Sequence, residues 1–175
     1  MNGSLKMALL IACACLIPAA ASAQKVNVDY DKEVDFAKFR SYAWQSGQPA
    51  ANPLVHKRIV NGIDSQLSSK GWIKTDNEPD AIVIYYAAID EQIQLNAWGS
   101  GPRWGGAGTI KAERIYTGQI VIDMYDAATR QLVWRGFASD TASDKQEKNE
   151  KKINEAIAKL FKRFPPAREA AADKR

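Results

Sequence analysis

Residues 99–108, GSGPRWGGAG, are the stretch of this sequence whose composition comes nearest to a chemical site. Glycine opens backbone angles closed to other residues, which serves a phosphate cradle and the end of a hairpin equally well. A cradle needs glycine amides at the start of a helix, backed by Lys-Ser/Thr or a dinucleotide spacing. Here the run is followed by TIKAERIYTGQIVIDMY, which alternates as a strand, and the last glycine of a GxGxxG would have to be Trp104. The context therefore predicts a hairpin end. Trp98, Arg103 and Trp104 sit at that tip and are the candidate interaction residues. Such amphipathic groups are enriched at recognition surfaces and can stack on sugar rings or rest at a membrane interface. The alternative is that the tryptophans fold back as a lid on the sheet.

Other chemistry-bearing residues are sparse. His56 is the sole histidine, flanked by Lys57 and Arg58 with no carboxylate nearby in sequence to orient it as a general base. One histidine does not make a zinc site, and Asp29, Asp31, Asp123 and Asp126 lack calcium-loop spacing. No serine lies in a Gly-x-Ser-x-Gly context, and no carboxylate pair stands out. No catalytic residue, metal ligand or cofactor is assigned, and the chain reads as a non-enzyme.

Both cysteines, Cys13 and Cys15, fall in the opening segment MNGSLKMALLIACACLIPAAASAQ. There Lys6 precedes an apolar run from Met7 to Ile17, and Ala21-Ser22-Ala23 supplies the small residues of a cleavage site. Residues 1–23 are therefore read as a secretory signal. The run is too short to span a bilayer and is followed by Pro18. Leu10-Ile11-Ala12-Cys13 also fits lipoprotein processing, which would acylate Cys13 and tether the protein to a membrane. Cleavage after Ala23 uses the whole apolar run and is the preferred reading. The mature chain then has no disulfide and no thiolate nucleophile. Cleavage removes Lys6 and no acid, leaving 23 basic against 20 acidic residues. That mild excess is interleaved with acids, so nucleic acid is not an expected partner.

The elements that must position these groups follow from periodicity. VNVDYD alternates as a first strand, Phe36 and Phe39 lie on a connector, and Tyr42–Trp44 form a second. Asn52-Pro53 opens a helix over 53–70 with Val55, Ile59, Ile63 and Leu67 on one face and Gly71 past its end. Gly62, costly inside a helix, suggests close packing on the sheet. From 81 to 98 a long strand is apolar on both faces, then on one, so its second half is expected to be buried on one side. Fully extended it exceeds a small domain, so its outer half projects or bends. A strand from Thr109 follows, with a bulge or bend at Gly118. LVWRGFA is another strand, with Trp134 facing the core and Arg135 the opposite side. The last helix carries Ile153, Ala156, Ile157, Leu160, Phe161 and Phe164 on one stripe, capped by Ser143 with Gln146 and stopped by Pro165-Pro166. Residues 167–175 form a charged, alanine-rich tail that should fray. The result is one α+β domain over 24–166, a two-layer sandwich of a mainly antiparallel sheet with two helices on one face, in the order β-β-α-β-β-β-α.

Several segments carry a family resemblance. VNVDYDKEVDFAKFRSYAW, LSSKGWIKTDNEPDAIVIYY, TGQIVIDMYDAATRQLVWRGFAS and INEAIAKLFKRFPP together resemble the DUF4136 family of secreted bacterial envelope proteins, many of them lipoproteins. The shared features are the leading Asp-Tyr-Asp, aromatics at Phe36, Phe39, Tyr42 and Trp44, Pro79-Asp80, Val133-Trp134-Arg135-Gly136 and the closing Phe164-Pro165-Pro166. The resemblance implies a one-domain α+β fold in a periplasmic or outer-membrane setting and no established activity. This chain departs from the pattern with Thr129-Arg130 where Thr-Gly is usual.

The functional reading is a non-catalytic periplasmic or envelope protein, an interaction scaffold acting through its sheet and long hairpin toward an envelope protein or glycan. A second reading is a small-ligand binder on the uncovered sheet face, where Trp44, Tyr85, Tyr116 and Tyr125 could gather. A third is the same domain anchored at the outer membrane through Cys13, the one case in which a membrane is a partner.

Overall fold

The computed structural model describes residues 24–98, 109–162 and 164–166, and for 96–98 and 109–110 the backbone alone. The elements are β1 (Lys25–Tyr30), β2 (Ser41–Trp44), α1 (Pro53–Ser69), β3 (Ile73–Lys74), β4 (Ala81–Trp98), β5 (Thr109–Asp126), β6 (Leu132–Thr141) and α2 (Gln146–Phe161). The six strands form one sheet in the order β1-β6-β5-β4-β2-β3. The pairs β1/β6, β6/β5 and β5/β4 are antiparallel, as hairpin connections allow. β2 joins β4 and β3 in parallel, because the chain between β2 and β4 crosses over through α1. β3, two residues long, falls below what alternation can reveal.

Each helix starts and stops for a local reason. The Asn52 side chain accepts from the amides of Leu54 (2.9 Å) and Val55, Pro53 fills the first turn, and Gly71 takes a φ of 82° just beyond the last. α2 is held differently from the expected Ser143–Gln146 box. The Asn149 amide brackets Ser143, accepting from its N–H (2.7 Å) and donating to its carbonyl (2.6 Å). An amide does both jobs because it carries an acceptor and two donors.

Both helices bury their stripes on one sheet face. Tyr42, Val83, Tyr85, Ile122, Met124 and Trp134 meet Ile59, Ile63 and Leu67 from α1 and Ile157, Leu160 and Phe161 from α2. The helices run parallel, since Arg58 pairs with Glu150 (2.9 Å) and Gly62 lies against Ile157 further along. Gly62 thus permits helix–helix approach rather than contact with the sheet: a Cβ there would stand 2.9 Å from Ile157 Cδ1. At one end of the layer Phe36, Phe39, Trp72, Trp134, Phe161 and Phe164 form a run of edge-to-face and tilted ring contacts, with centroids 5.3–6.1 Å apart.

Among the described residues no helix covers the other sheet face. Arg135 lies on it, opposite Trp134, and makes two 2.6 Å hydrogen bonds to the fully buried carboxylate of Asp123. Carboxylates also pin the strand ends. Asp80 accepts from the amides of Arg40 (2.8 Å) and Ser41 (2.9 Å), tying the start of β2 to the start of β4. The Arg40 amide leads the contacts that hold its carboxyl below the usual range. Asp126 takes Lys38 Nζ at 2.6 Å and the turn amides of Ala128 and Thr129, and Lys38 leads in lowering its pKa.

Two sequence expectations move. Gly118 pairs regularly with Ile89, and the irregularity lies between Met124 and Tyr125, where β6 carries an extra residue at Val133. Arg130, standing where Thr-Gly is usual, holds the left-handed conformation that glycine would take, with φ 61°. Arg130→Gly is therefore expected to raise stability by about 0.5–1 kcal/mol, the relief of a left-handed side chain less the added freedom of the unfolded chain. Urea denaturation with an unchanged slope would show the gain as a shifted midpoint.

Candidate functional site

β4 and β5 outrun the sheet that contains them. β6 pairs with β5 as far as Thr117, one further bond running from the Ala142 N–H to the Tyr116 carbonyl (2.6 Å), and the segment after β2 ends its backbone pairing with β4 at Gln48, which bridges Tyr86 and accepts from the Ala87 N–H (2.9 Å). Beyond that, among the described residues, the two strands pair only with each other, in unbroken antiparallel register to Trp98 opposite Thr109. The result is a two-stranded arm, roughly 30 Å long from Ile89 to Trp98 at about 3.3 Å per residue. The outer half projects, one of the two outcomes that strand length allowed.

Alternation along the arm sorts its side chains. One face, continuous with the helix-covered side of the sheet, carries Ile89, Ile93, Leu95, Ala112 and Tyr116; the other carries Asp90, Gln92, Gln94, Lys111 and Glu113, with the half-buried Ile115 opposite Gln92 as its one large apolar residue among those described. Alternation alone predicts that the apolar side is buried. It is not: Ile89 is 75%, Ile93 65% and Leu95 67% exposed. The helices end their cover before the arm begins, so alternation that buries Ile120 and Ile122 in the body leaves the same pattern open outside it. Within this stripe stand one acid and one base, Glu91 and Arg114, 3.4 Å apart. An exposed aliphatic strip rimmed by polar residues is the surface signature of an interaction site.

The named tip residues fall at or past the limit of this view. Trp98 closes β4, and the direction of its side chain is not among the described features. Arg103, Trp104 and Cys13 lie outside the described residues, as do the leader 1–23 and the tail 167–175. The aliphatic stripe was in the sequence as apolar odd positions. What alternation could not show is that no helix among the described residues lies over it.

The four aromatics proposed to gather on the uncovered face do not. Trp44 and Tyr85 lie on the helix-covered face, 6.1 Å apart edge to face, while Tyr125 lies on the opposite face beside Asp123 and Tyr116 is on the arm. Register is the cause, since Tyr85 opposes Ile122 and Tyr125 opposes Ile82, one residue out of phase. His56 stacks on Tyr85 with centroids 5.7 Å apart, and its Nδ1 shares a hydrogen bond with the Tyr85 hydroxyl. That hydroxyl also accepts from the Ala50 amide (3.3 Å), and burial raises its pKa. The histidine thus meets a phenol, where a general base is ordinarily oriented by a carboxylate. Among the described residues no group of three or more His, Cys, Asp or Glu is placed to hold a metal.

The fold is shared with solved structures of low identity. A PDZ domain protein from Parabacteroides distasonis aligns at 14% identity and a TM-score of 0.57, over 83% of this chain and 37% of that one. This chain thus spans about a third of that protein's length. The PelC dodecamer from Paraburkholderia phytofirmans aligns at 9% identity and a TM-score of 0.51, over 79% of this chain and 95% of the other. No curated protein sequence matches. The profile of a domain of unknown function matches residues 26–166, from the first strand through the closing Pro165-Pro166, and the chain belongs to that family, DUF4136.

Proposed function

We propose that this is a non-catalytic, exported protein of the cell envelope that docks a protein partner through the apolar face of its β4–β5 arm. The observation that carries the reading is the exposure of Ile89, Ile93 and Leu95 on an arm that the body's sheet and helices do not need for their own burial. Aliphatic side chains on a flat ribbon suit the apolar surface of another protein, whereas a glycan would call for aromatic platforms and fixed donors. Export is supported by the leader reading of residues 1–23, with release after Ala23 as the preferred outcome. That reading places the mature protein in the periplasm, and processing at Cys13 would instead anchor the same domain to the outer membrane.

The double variant I93N/L95N tests this. Both side chains are largely in water, so thermal stability should stay within about 0.5 kcal/mol of the parent. Recovery of the partner after crosslinking in intact cells should fall at least tenfold. A variant that loses stability and keeps its partner would assign the stripe to folding.

A further inference from the structure

The arm's base opens into a cavity of about 470 Å³ between the sheet and the N-terminal halves of both helices. Its origin is visible row by row across the covered sheet face. The row Tyr30, Trp134, Met124, Val83 and Trp44 is filled by large side chains. Two residues along each strand the row is Val28, Gly136, Ile122 and Tyr85; two further it is Val26, Ala138, Ile120 and Ala87. The last row has Gly118 at its centre, between Asp140 and Ile89. Side chains shrink toward this end while the helix layer stays overhead with Ile59 and Ala156, so a space remains.

We propose that this cavity binds one unbranched hydrocarbon chain ending in a carboxylate, with the chain inside and the carboxylate at Lys152. The walls specify the chain. They are mostly apolar and aliphatic, and no aromatic side chain lines them among the described residues, so a planar ring or a sugar finds no stacking surface. The volume lies within the range of small-molecule sites, and the lining surface is mainly apolar with a minority of polar groups. Lys152 is the sole cation among the lining residues and specifies the head group. Its ammonium donates to Asp140 Oδ1 (3.0 Å) and to the Thr141 carbonyl (2.6 Å), which fixes its position. An ammonium has three N–H groups, and the third remains for an incoming anion. Asp140, the one acid among the lining residues, already shares Lys152, which disfavours a head group of more than one negative charge. The mouth continues onto Ile89 and the apolar face of the arm, so an entering chain keeps to apolar surface throughout.

Calorimetric titration of the purified protein with sodium dodecanoate, below its micelle concentration, tests the proposal. The expected result is saturable binding of one molecule per chain. A138L, or A156L should the first not fold, fills the cavity from the sheet or the helix side and should weaken binding at least tenfold without lowering the melting temperature. K152M should weaken it about fivefold. I93N/L95N, outside the cavity lining, should bind as the parent does, which separates this site from the docking face. Absence of saturable binding to the parent, or full binding by a folded cavity-filled variant, would overturn the proposal, and unchanged binding by K152M would overturn the assignment of the carboxylate.

Discussion

Trp134→Ala is expected to cost about 3–5 kcal/mol, the range for removing a large aromatic from a rigid core. Trp134 is 1% exposed and lies 5.4 Å, centroid to centroid, from both Phe161 and Phe164. Its floor is Gly136, where a Cβ would come within 2.6 Å of the indole's Cη2. A glycine cannot swing a side chain into the space the indole leaves, and the phenyl rings on the other side are held by their own neighbours, so collapse is limited. Domains of this size are stable by about 5–15 kcal/mol, so the loss removes a large share of the whole. Urea denaturation should show the midpoint fall with little change in slope. Trp134→Phe should lose distinctly less. The indole Nε1 is buried with no acceptor among the described residues, and phenylalanine gives up that uncompensated donor together with part of the ring. A W134A protein within about 1 kcal/mol of the parent would mean that this aromatic run is not the centre of the core.

Asp64→Ala should cost about 2–4 kcal/mol, because one carboxylate holds three groups from two strands. Its Oδ1 accepts from the Tyr42 hydroxyl (2.7 Å) and Trp44 Nε1 (2.8 Å), and its Oδ2 from Lys74 Nζ (3.2 Å). Tyr42 is buried in β2 and Trp44 half-buried beside it, so alanine leaves one donor wholly and one partly deprived of a partner. Burial, followed by the bond to Asp64, drives the Tyr42 pKa well above its ordinary value, so the phenol stays a donor at all working pH. Lys74 is half-exposed and adds little. Asp64→Asn keeps an oxygen where two of the three bonds converge and should recover most of the loss. Equal loss in the two variants would place the effect in the charge rather than in the acceptor geometry.

The parts of this fold that sequence revealed are those specified by neighbours along the chain. Asn52-Pro53 and Gly71 bound α1 within a residue of its observed span, and Trp134 and Arg135 face opposite sides as alternation requires. Three antiparallel strands after α1 were legible for the same reason. Features that depend on what lies across space were not. Parallel pairing of β2 with β4 leaves no alternation of its own, and Ile73–Lys74 is too short to show any. Ile93 and Ile122 carry the same pattern, yet one is buried and one is in water, because a helix lies over only one of them. The cavity arises where Ala87, Gly118 and Ala138 from three strands fall side by side, which only register discloses. Arg103 and Trp104 lie outside the described residues, and the aliphatic stripe at Ile89, Ile93 and Leu95 is the more informative surface.

The central claim is that one face of the arm meets a partner and the other does not. A photo-crosslinking amino acid placed at position 93, on the apolar face, and separately at position 94, on the polar face, reads this directly in intact cells. A discrete protein adduct is expected from position 93 and none from 94, with both proteins folded to the same stability. Equal adducts from the two positions, or an adduct from 94 alone, would contradict the claim.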